Sequence, residues 1–233
     1  MDMRSLWRTA VDLLDARTLR DIGLVCVADA LVGASFGAIA VSGGLPAWLP
    51  VVLSVVVFAG GAQFAAIGAV LAGGGAAAGV LAGLVLNARL LPFGFAVADA
   101  LGPGPWRRLV GAHLVTDESV AFTVRQGDRH RRRAAFWACG VALFVCWNLA
   151  VVAGALLGGL VHDTDAFGLD AAFPAVLLAL VVPTLRHGEA RSAAVVGAVV
   201  AVVATPWLPP GVPVLVALGA LVLTLRPRAK APA

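Results

Sequence analysis

Charged residues are scarce in this chain of 233 residues. Asp, Glu, Lys and Arg together make up 13% of it, about half the share of roughly 25% in an average soluble domain. Hydrophobic residues make up 61%, and the mean hydropathy is +0.95. A soluble domain could not cover so much apolar surface with so few charges. The composition therefore excludes a soluble fold and indicates an integral membrane protein.

The sequence also lacks the motifs of common enzymes and nucleotide-binding sites. The glycines at 73–75 are not followed by the Lys-Ser/Thr of a Walker loop, so no ATP-binding motif is present. Residues 113–118, HLVTDE, do not match the H-E-x-x-H zinc pattern. The net charge of +4 arises from clusters between apolar blocks rather than from a basic and aromatic stripe. We therefore expect no cofactor, no metal, no nucleic-acid partner and no enzymatic activity.

Apolar blocks that approach the length of a membrane-spanning helix recur along the chain. The long blocks are residues 22–45, 47–72, 76–101 and 134–161, and shorter ones follow at 171–186, 192–208 and 212–226. A spanning helix needs about 20 residues. The four long blocks therefore qualify as spans, and the three short ones are marginal.

The placement of basic residues favours one more crossing than these seven blocks provide. Arginine clusters precede the first and fourth long blocks, and others flank the short ones. They all lie in the cytoplasm only if the chain crosses once more, between the third and fourth blocks. The candidate segment, 107–124, carries His113, Asp117 and Glu118 and is too polar to face lipid. It either crosses inside a helix bundle or forms a broken, re-entrant pair with part of the preceding block.

These patterns predict an all-α fold: a polytopic membrane protein with about seven or eight transmembrane helices, including one polar or broken segment. Residues 1–21, where apolar residues recur at helical spacing among charges, are predicted to form an amphipathic helix on the membrane surface. Residues 22–226 are predicted to form a single transmembrane domain and 227–233 a cytoplasmic tail. We favour eight crossings, with both termini cytoplasmic, in the cell inner (plasma) membrane.

Pairs of glycines spaced four residues apart predict where helices approach closely. The pairs are Gly33 and Gly37, Gly79 and Gly83, and Gly154 and Gly158. Such spacing lets the backbones of two membrane helices come into contact. The glycine run at 73–75 instead predicts a turn between spans.

Arg89 is the most informative polar residue at membrane depth, because it lies near the middle of an apolar run of 26 residues. A guanidinium so far from either interface must meet an anion. One interpretation is an internal ion pair, with Asp29 or Asp117 as the partner. The other is a binding site for a substrate carboxylate, which a guanidinium matches in shape. Both hold if substrate replaces the partner acid during transport.

Two predicted weak points in the helices lie beside buried polar groups. Pro92 removes a backbone donor near Asn87 and Arg89, and Gly60-Gly61 lowers helix stability next to Gln63. Interrupted helices that carry polar groups are typical of the midplane binding sites of transporters. The alternative is a simple packing kink, with Gln63 holding two helices together.

The acidic residues have several possible roles. Asp117 and Glu118 can carry a coupling proton, gate the site by pairing with Arg89, or belong to a solvated turn. His113 shares a helical face with Asp117. Asp29, about seven residues inside the first block, is predicted to pair with another group rather than contact the ligand.

At these residues the sequence resembles the AzlC family of branched-chain amino acid permeases, the azaleucine resistance proteins. The similarity covers G-x-x-F-G-x-x-A from Gly33 to Ala40, F-A-G-G-A-Q-F at 58–64 after Ser54, and the N-x-R step at Asn87 and Arg89. It continues in Asp117-Glu118, in G-L-D-A-A-F-P at 168–174 and in L-P-x-G at 208–211. The resemblance implies the large subunit of a two-part exporter of branched-chain amino acids, whose partner is AzlD, a small membrane protein of about four spans.

Combining the residues with this resemblance, we hypothesise a secondary transporter that works by alternating access. Arg89 would bind the substrate carboxylate, with hydrogen bonds from Gln63 and Asn87. Asp117 or Glu118 would take the ammonium group or a coupling proton, with His113 and Asp29 as further coupling or gating candidates. The apolar wall for an aliphatic side chain would consist of Phe36, Phe58 and Phe64. The alternatives are an exporter of other amino acids or small metabolites, and a membrane assembly subunit that transports nothing.

Overall fold

A computed structural model describes residues 13–160 and 188–208, together with residues 182, 185, 212, 213, 216 and 217. Every regular element in this part of the chain is helical, which confirms the predicted all-α class. By length and composition three segments could cross a membrane, namely Ala16–Ser42, Gly60–Ala96 and Arg129–Gly159, but the second of them is interrupted and reverses its direction at residues 73–75. Most of the blocks at 171–186 and 212–226 lies outside the described residues, as do residues 1–12 and 227–233.

The helices are α1 (Ala16–Ser42), α2 (Trp48–Val56), α3 (Gly60–Ala69), α4 (Gly75–Asn87), α5 (Leu90–Ala96), α6 (Ala98–Leu101), α7 (Pro105–His113), α8 (Asp117–Val124), α9 (Arg129–Leu160) and α10 (Gly188–Ala204). The described residues fall into two compact units. The first contains those within Met1–Gln63 and Val85–Leu169, and the second those within Phe64–Leu84 and Asp170–Ala233. The prediction of one transmembrane domain over 22–226 stays a prediction.

The first unit is built on α1 packed along α9. A methyl group added at Gly37 would lie 2.2 Å from the carbonyl oxygen of Val151, and one at Gly154 would lie 1.9 Å from that of Ala34. Neither distance is physically possible, so only glycine allows these backbones to approach so closely. Two predicted glycine pairs, those at 33/37 and 154/158, are thus confirmed as helix contacts. We call this contact the glycine seam.

The second unit contains a helical hairpin formed by the end of α3 and by α4. Gly73 and Gly75 have φ angles of +85° and +72°, which side chains other than glycine rarely allow. A methyl group at Gly79 would lie 2.9 Å from the carbonyl oxygen of Ala66. In a straight helix these residues would be about 20 Å apart, so the chain reverses between them. The turn predicted at 73–75 is confirmed.

Three of the predicted segments are interrupted. The block at 47–72 divides into α2 and α3, with a break over residues 57–59, and the block at 76–101 divides at residues 88–89 into α4 and α5. Both breaks lie just before the weak points predicted from the sequence, Gly60-Gly61 and Pro92, which lower helix stability where the polar residues lie. The segment 107–124 divides into α7 and α8, which confirms a broken polar segment. Whether it crosses the membrane stays a prediction.

The first span begins earlier than the apolar block indicates. The helix α1 starts at Ala16, six residues before the predicted boundary at residue 22. Asp15 adopts an extended conformation just before it, and its carboxylate accepts a hydrogen bond from the Thr18 hydroxyl. The charged residues of the first two turns therefore belong to α1, whereas the sequence pattern predicted that they end a separate helix on the membrane surface.

Candidate functional site

The interruptions bring Arg89 and Asp117 together. Arg89 lies in the break between α4 and α5, and Asp117 is the first residue of α8. Nη2 of Arg89 is 3.3 Å from Oδ2 of Asp117. Of the two acids predicted as partners, the structure therefore pairs Arg89 with Asp117. The two side chains are 54% and 44% exposed in the isolated chain, so this ion pair is accessible from outside the packed core.

The ion pair leaves part of its bonding capacity unused. The other carboxylate oxygen of Asp117, Oδ1, is buried and accepts no hydrogen bond from the described residues. A buried acceptor without a donor is unfavourable by about 1–3 kcal/mol. An added donor, such as an ammonium group, would remove that penalty.

Arg89 also lies against the beginning of α3. A methyl group added at Gly61 would be 3.4 Å from Nη2 of Arg89. The first N–H groups of a helix have no partner inside that helix and carry partial positive charge. The guanidinium and the first turn of α3 therefore form one positive region, which is suited to a carboxylate.

Local sequence explains why Asp117 lies where it does. Thr116 adopts an extended conformation, and its Oγ1 accepts a hydrogen bond from the Ser119 N–H at 3.2 Å. Ser119 Oγ accepts one from the Thr116 N–H at 2.9 Å, which completes a reciprocal cap. Asp117 and Glu118 occupy the first turn, where negative charge is favoured. The cap thus fixes the start of α8 and, with it, both acids.

Gln63 is held entirely within the protein. Its side-chain N–H donates to the carbonyl oxygen of Val57 in the break before α3, and its Oε1 accepts from Nε1 of Trp147 at 3.1 Å. Gln63 is fully buried. These bonds fasten the break to α9, which is the gluing role weighed for this residue. Its predicted contact with substrate stays a prediction.

A second polar link fastens α2 to α9. The buried hydroxyl of Ser54 donates to Oδ1 of Asn148 at 2.7 Å, and the Asn148 side-chain amide donates to the carbonyl oxygen of Phe144 at 2.8 Å. Together with Gln63 and Trp147, this link holds the interrupted helices against the long, continuous one.

Three rings cluster beside the break that precedes α3. The ring centroids of Phe58 and Phe144 are 5.2 Å apart, and His113 lies 6.2 Å from Phe58 and 5.7 Å from Phe144. His113, predicted as a coupling or gating residue, is thus packed among aromatic rings at the end of α7. Phe58 is buried and comes two residues before Gly60, so the apolar cluster adjoins the first turn of α3.

The other predicted residues occupy different positions. Phe36, on α1, stacks on Trp147 with centroids 6.3 Å apart. Asn87 is the last residue of α4, two residues before Arg89. Asp29 is half-buried on α1 and interacts electrostatically with Glu118. Phe64 is fully buried, in the part of α3 that belongs to the second unit.

Sequence reasoning missed Trp147, which organises this region. Its indole touches the position of Gly60, where a methyl group would lie 2.8 Å from the ring, and that of Gly33, at 3.3 Å. The signal available was its place beside Asn148 in the middle of an apolar block, rather than at the end of a span where tryptophans of an aromatic belt occur.

The comparisons with known proteins agree with these observations. The profile of the AzlC family, described as AzlC protein, matches residues 25–161, which is more than half of the chain. No curated protein and no solved structure matches it significantly. The matched residues include the glycine seam, the three interruptions, Arg89 and Asp117. The AzlC family is a family of membrane transporters, and this chain belongs to it.

Proposed function

We propose that this protein is a secondary transporter that exports branched-chain amino acids, driven by an ion gradient and working with a small AzlD-like membrane subunit. The observation that carries the proposal is the ion pair of Arg89 and Asp117, which lies where three interrupted segments meet. The family supports transport in general. The substrate, the direction and the partner are proposed.

The pair matches the two charges of an amino acid. A guanidinium forms short, charge-assisted and often bidentate hydrogen bonds with a carboxylate. The carboxylate of Asp117, with its unpartnered Oδ1, is complementary to an ammonium group. In the empty site the two side chains neutralise each other, and an amino acid between them would neutralise both.

The pair is weak enough to be separated by substrate. It consists of one contact at 3.3 Å between side chains that are about half exposed. Exposed ion pairs of this kind contribute about 0–1 kcal/mol. A substrate carboxylate that binds both the guanidinium and the first turn of α3 would accept hydrogen bonds from more donors than Asp117 does. Exchange of Asp117 for substrate is therefore favourable.

The apolar surroundings suit an aliphatic side chain. Phe58 and Phe144 lie beside the first turn of α3, and Phe36 packs on the same tryptophan that fixes Gln63. We propose Phe36 and Phe58 as the wall that contacts the substrate side chain. Such a wall separates side chains that differ by one methylene by about 1–3 kcal/mol. It would accept leucine, isoleucine and valine and would disfavour a charged side chain.

We further propose that the acids near the start of α8 carry the coupling. Asp117 and Glu118 are fixed by the same helix cap, and Glu118 interacts with Asp29 across to α1. Proton uptake by Asp117 would weaken its hold on Arg89 and so favour one access state. His113, at the end of α7, is the fourth residue proposed for this role.

Counterflow of labelled leucine in proteoliposomes tests the proposal. The full chain is reconstituted with its AzlD-like partner, and uptake is measured into vesicles loaded with unlabelled leucine. The Arg89→Gln variant should lose about a hundredfold in rate, because a charge-assisted contact with the substrate is removed. Arg131→Gln is the matched control, since Arg131 pairs with Asp128 at 3.5 Å on an exposed turn away from this site.

The competing functions give different results in the same assay. Competition by valine and isoleucine but not by lysine supports a branched-chain substrate. Stronger competition by lysine or another metabolite would show that the site binds that substrate instead. Equal counterflow by wild type and Arg89→Gln would show that Arg89 does not bind the substrate. Absence of counterflow, with the wild type folded and its partner present, would identify a subunit that transports nothing.

A further inference from the structure

The amino-terminal end of α9 borders a cavity that the proposed transport function does not use. Its volume is about 650 Å³, and it belongs entirely to the first unit. It is lined by Ala98, Asp99, Gly102, Pro103, Arg108, Arg129, His130 and Arg133. This volume lies within the range of small-molecule sites. We call it the basic cavity.

Positive charge dominates its lining. Three of the eight lining residues are arginines: Arg108 from α7, and Arg129 and Arg133 from the first two turns of α9. His130 is also part of the lining. Asp99 is the acid among them, and it is already bound from outside the lining. Arg132 donates to both its oxygens, from Nε to Oδ2 and from Nη2 to Oδ1, each at 3.0 Å. Asp99 also interacts with Arg129, but three arginines against one acid leave the lining with a net positive charge.

Arg133 supplies a buried donor without an acceptor. Its Nε is buried and has no hydrogen-bond partner in the described part of the chain. The guanidinium rests on Gly102, where an added methyl group would be 3.4 Å from Cζ. Gly102 has a φ of +91°, a conformation that glycine adopts readily. A buried N–H without an acceptor is unfavourable, and an anion in the cavity would provide one.

The helix beside the cavity has the pattern of a membrane-surface helix. Trp106, Leu109 and Val110 on α7 are exposed and recur at the spacing of one helical face. Arg108, on the same short helix, lines the cavity. Apolar residues with a tryptophan next to basic residues are typical of helices that lie among lipid headgroups.

We propose that the basic cavity binds a phosphate group, carried by the headgroup of an anionic phospholipid or free in solution. Guanidinium groups on two helices converge on a space large enough for a glycerophosphate headgroup, and one of them has a buried donor in need of an acceptor. The apolar face of α7 would extend into the acyl-chain region beside a bound lipid. This site is separate from Arg89 and Asp117 and does not depend on their role.

Binding of short-chain lipids to the purified full chain in detergent tests the proposal. Dioctanoyl phosphatidylglycerol, dioctanoyl phosphatidylcholine and inorganic phosphate are titrated separately, and thermal stabilisation and retention in native mass spectra are measured. The Arg108→Gln/Arg129→Gln variant should bind phosphatidylglycerol about tenfold more weakly. The matched control, Arg125→Gln/Arg131→Gln, removes the same charge from exposed residues outside the cavity and should change binding by less than about twofold.

The lipids also test the wild type, so the proposal does not depend on the variants folding. Preference for phosphatidylglycerol over phosphatidylcholine and over phosphate supports a lipid headgroup. Equal saturable binding of inorganic phosphate, lost in the cavity variant, supports the site with free phosphate as its ligand. Equal binding of both lipids without any response to phosphate would overturn the proposal, and so would an equal loss in the cavity variant and its control.

Discussion

Helices contact one another in two different ways in this protein, along the glycine seam and around the interrupted helices. Along the seam, α1 and α9 are continuous, and missing side chains at Gly37 and Gly154 bring backbone against backbone. Around the breaks, polar side chains such as Gln63 and Asn148 contact the backbone and one another. The seam offers nothing that a ligand could replace. The breaks contain groups that can exchange partners, which is why we place the transport site there.

Filling the seam should produce the largest loss of stability. The Gly154→Ala variant adds a methyl group 1.9 Å from the Ala34 carbonyl oxygen, and relieving that overlap requires α1 and α9 to separate. We expect a loss of about 3 kcal/mol, the upper end of the usual range for overpacking. Thermal unfolding of the purified protein measures it.

Gly23→Ala is the control for this change. Gly23 lies in α1 with nothing within 4 Å of an added methyl group. Alanine should there stabilise the helix by about 0.5–1 kcal/mol. If both variants had equal stability, the seam would not be the rigid part of the molecule, and the contrast with the breaks would fail.

Removing the hydrogen bond between Trp147 and Gln63, which holds the break before α3 against α9, should produce the second largest loss of stability. Trp147→Phe keeps an aromatic ring but leaves Oε1 of Gln63 buried without a donor. We expect a loss of about 2 kcal/mol. In a Gln63→Met background the same change should have a smaller effect, because no acceptor is left unsatisfied. Thermal unfolding of the four proteins gives the coupling between the two side chains.

Trp137→Phe provides the comparison on the same helix. Trp137 is half-buried and packs edge-on against Phe136, so the change should alter stability by less than about 1 kcal/mol. Equal losses at residues 137 and 147 would mean that ring volume, rather than the hydrogen bond to Gln63, determines the result.

The sequence predicted features that depend on local chemistry. Glycine spacing located the seam, Pro92 and Gly60-Gly61 marked two interruptions, and the cost of a guanidinium at membrane depth required an acid partner for Arg89. These conclusions follow from the properties of single residues or short spacings.

Features that join distant parts of the chain could not be predicted in this way. Trp147 binds a residue 84 positions away, and nothing in either neighbourhood indicates that pairing. The same holds for the basic cavity, because in the sequence Arg108 and Arg129 belong to clusters of basic residues that are typical of loops between membrane spans. Only the folded structure shows that they line one space.

The ion pairs Arg132–Asp99 and Arg89–Asp117 also differ in how firmly the two partners are held. Asp99 accepts two hydrogen bonds from Arg132, and these hold the pKa of its carboxyl below its ordinary value of 3.8. A carboxylate with a lowered pKa in the folded state stabilises the protein at neutral pH, and that contribution is lost as the pH falls through the lowered value. Because Asp99 is 44% exposed, screening limits the contribution to about 0.5–1 kcal/mol.

The Asp99→Asn variant checks this sign. Its stability should fall below that of the wild type by this amount at pH 7, and the difference should shrink as the pH falls below 3.8 and through the lowered pKa, where protonation breaks the wild-type pair as well. Unfolding curves of both proteins over this pH range provide the measurement. A difference that grows as the pH falls would contradict the lowered pKa.

The smallest effect on stability should come from the pair that we propose for substrate binding. Arg89 and Asp117 share one contact at 3.3 Å, against two at 3.0 Å for Arg132 and Asp99. Replacing Arg89 with Gln should therefore change the free energy of unfolding by about 0.5 kcal/mol or less. If the same variant unfolded as readily as Gly154→Ala, Arg89 would be a structural residue, and any loss of counterflow would reflect a damaged fold. A folded but inactive Arg89→Gln protein would mean that the contact is kept weak so that substrate can replace it.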